Sequence, residues 1–353
     1  GGMNFARNLG PEISDDSYKY EIGGSINVSH RDSESQSKTA SENFYAGGMH
    51  TWSNREGSNS NGSTSVSGQL RFEWNQSEKT SLIFTPQFSY SESGSTSKND
   101  SRTFNKDPYE FASNPLDDET VFESTDLDPD AVYLDSLYDA LWNYQYSKSV
   151  SESKSASTSG NLLFTQRFDK PGRNVSLNAN YSFSQSNSDS RSRNEQMSKN
   201  MMSGVESIDT LNRYNDNPNV NKSLRTQISY TEPLANQTYL QLSYQFSYNY
   251  SLSDRSTYDL VGPEYADWGQ PEWILEDRYD TLRSATLSQK NYYENYDQTI
   301  QLQLRKVTEK LNLTFGLSAL PQYSKMNYKY MGVDTMLSRT VFNWTPTVNM
   351  RYR

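Results

Sequence analysis

Tyr239-Leu240-Gln241-Leu242-Ser243-Tyr244-Gln245-Phe246-Ser247-Tyr248-Asn249-Tyr250 alternates without a break. Leu240, Leu242, Tyr244, Phe246, Tyr248 and Tyr250 share one side; Gln241, Ser243, Gln245, Ser247 and Asn249 share the other. Successive side chains of a strand project to opposite faces, so this segment makes a strand with one apolar and one polar face. In a water-soluble sheet the apolar faces meet in a core. In a transmembrane barrel they turn outward to lipid, and the polar faces line the lumen. The class of the protein hangs on that choice.

Composition favours the barrel. Mean hydropathy is −0.91, a value usual for soluble or disordered chains. Yet 13% of the 353 residues are aromatic, with 26 Tyr, 14 Phe and 6 Trp. Disordered chains lack that aromatic content. A barrel reconciles the two facts, because its lumen and loops are polar and only a lipid-facing band needs to be apolar. Tyr and Trp also collect at membrane interfaces. The sequence holds no run of 18 apolar residues, so it carries no transmembrane helix. The net charge of −10 argues against a nucleic-acid partner. Cysteine is absent, which excludes disulfides and thiolate chemistry. Gly1-Gly2-Met3-Asn4-Phe5 has no apolar secretory core, and the expectation is an exported chain read without its leader, or a fragment.

Working outward, the same alternation recurs in pairs joined by short polar turns. Leu70, Phe72 and Trp74 precede the turn at Gln76–Lys79, and Leu82, Phe84, Pro86, Phe88 and Tyr90 follow it. Asp169–Asn174 joins Leu162, Phe164 and Phe168 to Val175, Leu177, Ala179, Tyr181 and Phe183. Glu232–Gln237 joins Leu224, Ile228 and Tyr230 to the opening strand. Val307–Lys310 joins Tyr296, Ile300, Leu302 and Leu304 to Leu311, Leu313, Phe315, Leu317 and Ala319. Pro, Gly, Asn and Asp between alternating runs are hairpin signals. Tyr20, Ile22, Ile26 and Val28 begin a further hairpin that returns through the polar region Arg31–Ser65. Phe342, Trp344, Val348, Met350 and Tyr352 end the last one.

The other connections read as long, polar loops over Ser91–Val150, Gln185–Lys222 and Ser251–Asn291. Short turns on one side and long loops on the other are the habit of outer-membrane barrels, periplasmic and extracellular respectively. The expectation is an all-β, antiparallel, up-and-down transmembrane β-barrel, partial, of about ten strands reaching well beyond the bilayer. Residues 1–353 form one such region. Trp74, Phe168, Tyr230, Tyr239, Tyr248, Tyr250, Tyr328, Tyr330 and Trp344 are the candidate girdle aromatics.

Three segments also carry a family resemblance. They are Tyr328–Thr335 leading into Phe342–Pro346, Leu70–Asn75 followed by Leu82–Tyr90, and Lys170–Leu177. They resemble the outer-membrane β-barrel family of Bacteroidetes, whose members look like TonB-dependent receptors. The resemblance is one of strand texture over most of the chain. It implies an internal piece of a larger barrel in the Gram-negative outer membrane, serving ligand capture and uptake. The partners implied are membrane lipid, the chain's own missing plug domain and remaining strands, TonB, and an extracellular ligand. A non-transporting structural or assembly barrel and a secreted β-rich adhesin are the alternatives.

Chemistry-bearing motifs are sparse. His30 and His50 are the two histidines, too few for a multi-His metal site, and Ser-x-x-Lys at Ser35–Lys38 and Ser151–Lys154 is what a Ser-rich chain produces by chance. No catalytic residue, cofactor or enzymatic activity is expected. Asp126, Asp128 and Asp130 alternate in an acidic stretch, a weak calcium candidate; Ala131 and Leu137 stand where a helix–loop–helix calcium loop needs Gly and Glu. Arg71, Glu73, Arg167, Arg225, Asp297, Arg305 and Arg351 fall on the polar, lumen-facing side. Their simplest reading is an ion-pair ladder; contact with a plug or passing substrate is the functional one.

Overall fold

The computed structural model describes residues 1–14, 17–117, 137–200, 205–261 and 279–352. They form one antiparallel sheet of twelve strands: β1 (Gly2–Ser14), β2 (Ser17–Phe44), β3 (His50–Ser77), β4 (Thr80–Phe104), β5 (Leu141–Arg167), β6 (Asn174–Lys199), β7 (Glu206–Asp216), β8 (Asn219–Ala235), β9 (Thr238–Asp259), β10 (Gln289–Val307), β11 (Leu311–Tyr330) and β12 (Val333–Tyr352). Strands pair in chain order, except that β7 and β8 do not pair with each other and each lies between β6 and β9; β1 and β12 are the two edges. The all-β, antiparallel, up-and-down class is the one expected.

β7 and β8 are one span. β6 pairs Asp189 with Asp216 of β7 and Ser186 with Asn219 of β8, so three residues forward on one side match three back on the other. β9 shows the same continuity, with Ser256 opposite Asp216 and Ser253 opposite Asn219. The Asn217 amide donates to the Ser188 carbonyl, and the Asp254 amide to the Pro218 carbonyl, both at 3.1 Å. Pro218 has no N–H to give, which interrupts the ladder without shifting its register. The twelve strands therefore make eleven spans.

That count agrees with the expectation of about ten strands reaching well beyond the bilayer, but the segments expected as long loops are shorter than their expected bounds. β2 and β3 each run 28 residues, and the polar segment Arg31–Ser65 is strand almost throughout, turning only at residues 45–49. β4 continues to Phe104, β5 starts at Leu141, β6 runs to Lys199 and β9 to Asp259. Much of what reads as loop is thus paired wall. Ser, Asn and Gly carry little β propensity, and a segment polar on both faces shows no alternation to detect. Pairing reaches these segments from the apolar part, whose register is already fixed.

The turns at the near end are short: residues 78–79, 168–173, 236–237 and 308–310. At the far end, Met331 and Gly332 alone join β11 to β12, with φ of 52° and 77°. Two positive φ values in succession give the primed turn whose twist matches a two-residue hairpin.

Buried apolar residues do not underlie the sheet. Phe104, Leu137, Ala140, Leu141 and Met197 cluster at the far end, with Trp52, Phe111, Ala112, Tyr138 and Tyr144 against them. Tyr258 and Leu260 form a smaller group with Tyr214 and Leu282. The nearly buried Arg102 beside the first cluster is held by Asp100 at 3.0 Å and donates to the Asp117 carbonyl at 3.3 Å.

Gly24 marks the tightest packing among β1, β2 and β3. A methyl there would meet the Gln69 carbonyl, Leu70 and Phe5, each at 2.8 Å. Gly24→Ala should therefore cost about 1–3 kcal/mol through overpacking. Gly94, with nothing nearer than 3.9 Å, should gain roughly 0.5–1 kcal/mol on the same change by losing chain entropy. Urea unfolding in a lipid bilayer reads both, and equal effects at the two sites would contradict this packing.

Candidate functional site

Register assigns every strand residue to a face. Residues directly opposite in a ladder share a side, so Leu242 of β9 places Tyr230 of β8 and Leu302 of β10 with it, and Leu302 places Leu317 of β11. Followed from strand to strand, the apolar face collects Phe5 and Leu9; Tyr20 to Val28; Leu70, Phe72 and Trp74; Leu82 to Tyr90; Leu162 and Phe164; Val175 to Phe183; Leu224 to Tyr230; Leu240 to Tyr250; Tyr296 to Leu304; Leu313 to Ala319; and Phe342 to Tyr352. The alternating runs Tyr20–Val28, Leu82–Tyr90 and Leu240–Tyr250 are nine to eleven residues long. A tilted strand crosses the hydrocarbon layer in about 9–11 residues.

Nothing in the described structure covers this belt. Leu242, Leu302 and Leu317 are 48–49% exposed in mid-sheet, and Val348 on the edge strand is 69% exposed. Beyond the belt the same side turns polar, with His30, Asp32, Glu34 and Lys38 on β2 and Glu92, Lys98 and Asp100 on β4. From His30 to Phe44 the wall of β2 extends roughly another 50 Å at about 3.3 Å per residue.

The opposite face is hydroxyl- and amide-rich. Hydrogen-bonded serine pairs bridge neighbouring strands at Ser29–Ser65, Ser89–Ser157, Ser91–Ser155 and Ser95–Ser151, 2.7–2.8 Å apart. Asn161 donates to Asn178 and Asn180 at 2.8 and 2.7 Å. A shallow recess of about 250 Å³ opens among Ser25, Asn27, Gln69, Gln87, Ser89 and Ser159.

Arg71, Glu73, Arg167, Arg225, Asp297, Arg305 and Arg351 all lie on this polar side. They do not form a ladder of ion pairs. Among them the described structure pairs Arg71 with Glu73, at 2.6 Å along one strand, while Arg225 donates to Gln245 at 2.9 Å and Asp297 accepts from Asn295. The cations sit on different spans with neutral residues between them, so an exposed pair such as Arg71–Glu73 adds little to stability.

The girdle candidates divide. Trp74, Tyr230, Tyr248, Tyr250 and Trp344 are on the apolar side, Trp344 opposite Ala319 in mid-strand. Phe168 lies in a near-end turn. Tyr239, Tyr328 and Tyr330 lie on the polar side, because their odd or even position is opposite to that of Leu240 and Leu317. Asp126, Asp128 and Asp130 lie outside the described residues. Among the described residues no three His, Asp or Glu side chains converge on a metal-sized space.

Sequence reasoning missed the densest aromatic group. The Glu294 carboxylate accepts from the hydroxyls of Tyr296 at 2.6 Å and Tyr248 at 3.2 Å, and also from Tyr292. Ring centroids of Tyr248 and Tyr296 are 5.0 Å apart, and those of Tyr250 and Tyr292 are 5.4 Å apart. Lys222 stands over Tyr250 at 5.2 Å and Lys325 over Tyr292 at 5.9 Å. This cluster sits on the apolar side at the far margin of the belt. The signal was present: Tyr292, Glu294 and Tyr296 share the even positions of Ile300, Leu302 and Leu304.

At the near end, charges tie neighbouring turns together. Lys79 pairs with Asp169 across the turns before β4 and β6. Glu232 of β8, just outside the belt, is gripped by Arg173 at 2.7 and 2.8 Å, Lys170 at 2.7 Å and Tyr230 at 2.5 Å. Arg173 first, then Lys170 and Tyr230, hold the Glu232 carboxyl far below the usual carboxylate range.

No family model matches the sequence, and no curated protein does. Among solved structures the chain is similar to the outer membrane protease OmpT from Escherichia coli, at 9% identity and a TM-score of 0.23, covering 96% of this chain and 99% of that one. It is also similar to OmpT, an outer membrane protein of Vibrio cholerae, at 11% identity and a TM-score of 0.15, covering 93% and 97%. Likenesses this low carry no argument for a shared activity. One of the two is nonetheless a protease, so the expectation of a non-enzymatic chain is corrected and withdrawn.

A carboxyl with a lowered folded-state value contributes stability that is complete above its ordinary value, 4.5 for Glu232, and is lost as pH falls through the folded value. Glu232→Gln should therefore lower the melting temperature at pH 8 and at pH 6 alike. The difference from the unaltered protein should shrink to nothing at pH well below 4.5. A gap that widens in acid would show that Glu232 is not the anchor of this turn.

Proposed function

We propose that the chain is the wall of an outer-membrane β-barrel, with its apolar face on lipid and its polar face on an aqueous lumen, serving ligand capture and uptake. One observation carries this reading. An uncovered apolar belt of spanning length runs across the strands opposite a face of Ser, Asn, Gln and Thr. In water such a belt would need a second layer above it. In lipid it needs none.

The far-end wall, polar on both faces, extends the lumen beyond the membrane as a collar where a ligand first meets the protein. Energy-coupled uptake of the TonB-dependent kind, with a separate plug domain, is the finer form of the proposal. It rests on the texture of Leu70–Asn75, Leu82–Tyr90 and Lys170–Leu177. The open polar face leaves room for such a plug, and Arg71, Arg225, Arg305 and Arg351 are the side chains it would meet.

Two measurements test the placement. Spin labels at Leu242 and Phe246 should be quenched by lipid-dissolved oxygen, and labels at Ser243 and Gln245 by a water-soluble nickel chelate. Equal access from both sides would end the membrane reading. Leu242→Arg should destabilise by about 2–4 kcal/mol near the bilayer midplane. For orientation, an epitope tag at Gly47 should be detected on intact cells and one at Gly172 should not. The reverse result would invert the topology.

A further inference from the structure

At the far margin of the belt, the apolar side of β8–β11 carries two lysines that the protein does not neutralise. Register sets four residues in one row across these strands. Lys222 of β8 lies opposite Tyr250 of β9, Tyr250 opposite Glu294 of β10, and Glu294 opposite Lys325 of β11. On β6 the row continues at Phe183, opposite Lys222. Phe183 and Tyr250 are the last members of their alternating apolar runs. Both lysines therefore stand where the apolar surface ends.

Neither ammonium group has a carboxylate of its own. Glu294 lies between them in the row, yet its oxygens are taken by the hydroxyls of Tyr296 at 2.6 Å, Tyr248 at 3.2 Å and Tyr292. Lys222 stands instead over the rings of Tyr250 and Phe183, at 5.2 and 5.8 Å from their centroids, and Lys325 over Tyr292 at 5.9 Å. Among the described residues neither lysine forms an ion pair. Outward cations nearby do: Lys154 holds Glu92 at 3.2 Å, and Lys290 holds Asp254 at 2.7 Å. A ring face holds a cation in place without cancelling its charge. Glu294 in turn tethers Tyr292, the ring beneath Lys325.

At that level the counter-charge available is in the lipid. Headgroup phosphates lie in the plane where an apolar belt ends, and basic side chains placed there attract them. Lysine stems and tyrosine rings suit the same boundary. Three strand spacings of about 4.8 Å separate Lys222 from Lys325, room for one phosphate at each. We infer that Lys222 and Lys325, with the rings of Phe183, Tyr250 and Tyr292, form a docking surface for the phosphate headgroups of anionic lipids in the far-end leaflet. In the orientation proposed above that is the outer leaflet.

The inference rests on the membrane reading, and the test separates the two. The chain has no cysteine, so Leu252→Cys carries the one fluorophore. Leu252 lies on the same side as Tyr250, one step farther out, opposite Val220 of β8 and Tyr292 of β10. Residues 1–353 are inserted into phosphatidylcholine bilayers. A nitroxide near the top of an acyl chain is carried either by added phosphatidic acid or by phosphatidylcholine. At low salt, phosphatidic acid should quench the fluorophore several-fold more strongly than phosphatidylcholine. Lys222→Gln combined with Lys325→Gln should make the two lipids quench equally, while Lys154→Gln should leave the preference intact. Four results would overturn the docking surface: no preference in the unaltered protein, the same preference in the double variant, an equal loss in Lys154→Gln, or loss on adding inorganic phosphate at constant ionic strength. Each leaves the membrane reading standing, since both lipids still quench. Quenching by neither lipid would overturn the membrane reading and the inference with it.

Discussion

The structure depends on one constraint: each backbone N–H and C=O in the belt must find its partner in the neighbouring strand. In hydrocarbon there is no water to substitute. A continuous ladder is the response, and a ladder fixes register. Because side chains alternate with period two, fixed register fixes faces, and a slip of one residue would turn Leu242 to the polar face and Ser243 to the apolar one. Each span inherits its facing from the one before it. That is why Leu302 and Leu317, far apart in sequence, stand in one row with Leu242.

The same ladder explains the far-end wall. Its residues bring little hydrophobic drive, and as isolated peptides they would stay disordered. They are zipped by continuation from a registered belt, and serine pairs such as Ser91–Ser155 and Ser95–Ser151 add side-chain bonds between the strands. The break at Asn217–Pro218 shows how robust that continuation is. One missing donor interrupts the bonds, yet β7 resumes the register of β8 on both neighbours.

Charge is used differently at the two margins of the belt. At the near end, Arg173, Lys170 and Glu232 bind adjacent turns into a rim. At the far end, Glu294 is solvated by tyrosine hydroxyls, and lysines lie over aromatic rings. Both devices suit a place where an apolar surface gives way to polar surroundings, since an amphipathic side chain keeps its stem on the apolar side and its polar tip outside. Between the margins the described apolar face carries Arg7 on the edge strand β1, opposite Ile22, and is otherwise nearly free of charge, and the polar face opposite it carries few charges.

Alternation in Tyr239–Tyr250, Leu82–Tyr90 and Val175–Phe183 was enough by itself to determine the all-β class, the two-faced strands and the positions of the near-end turns. Period two is a local property, and the face a residue shares with its i+2 neighbour needs no tertiary information. The polar assignment of Arg71, Arg225 and Arg305 follows by the same local rule. Tertiary structure decided what depends on pairing: that Arg31–Ser65 is wall, that β7 and β8 are one span, and that the charges of the polar face stand apart. Hydrogen bonds between strands distant in sequence leave no periodic trace in either strand, so those features exist only once the sheet is assembled.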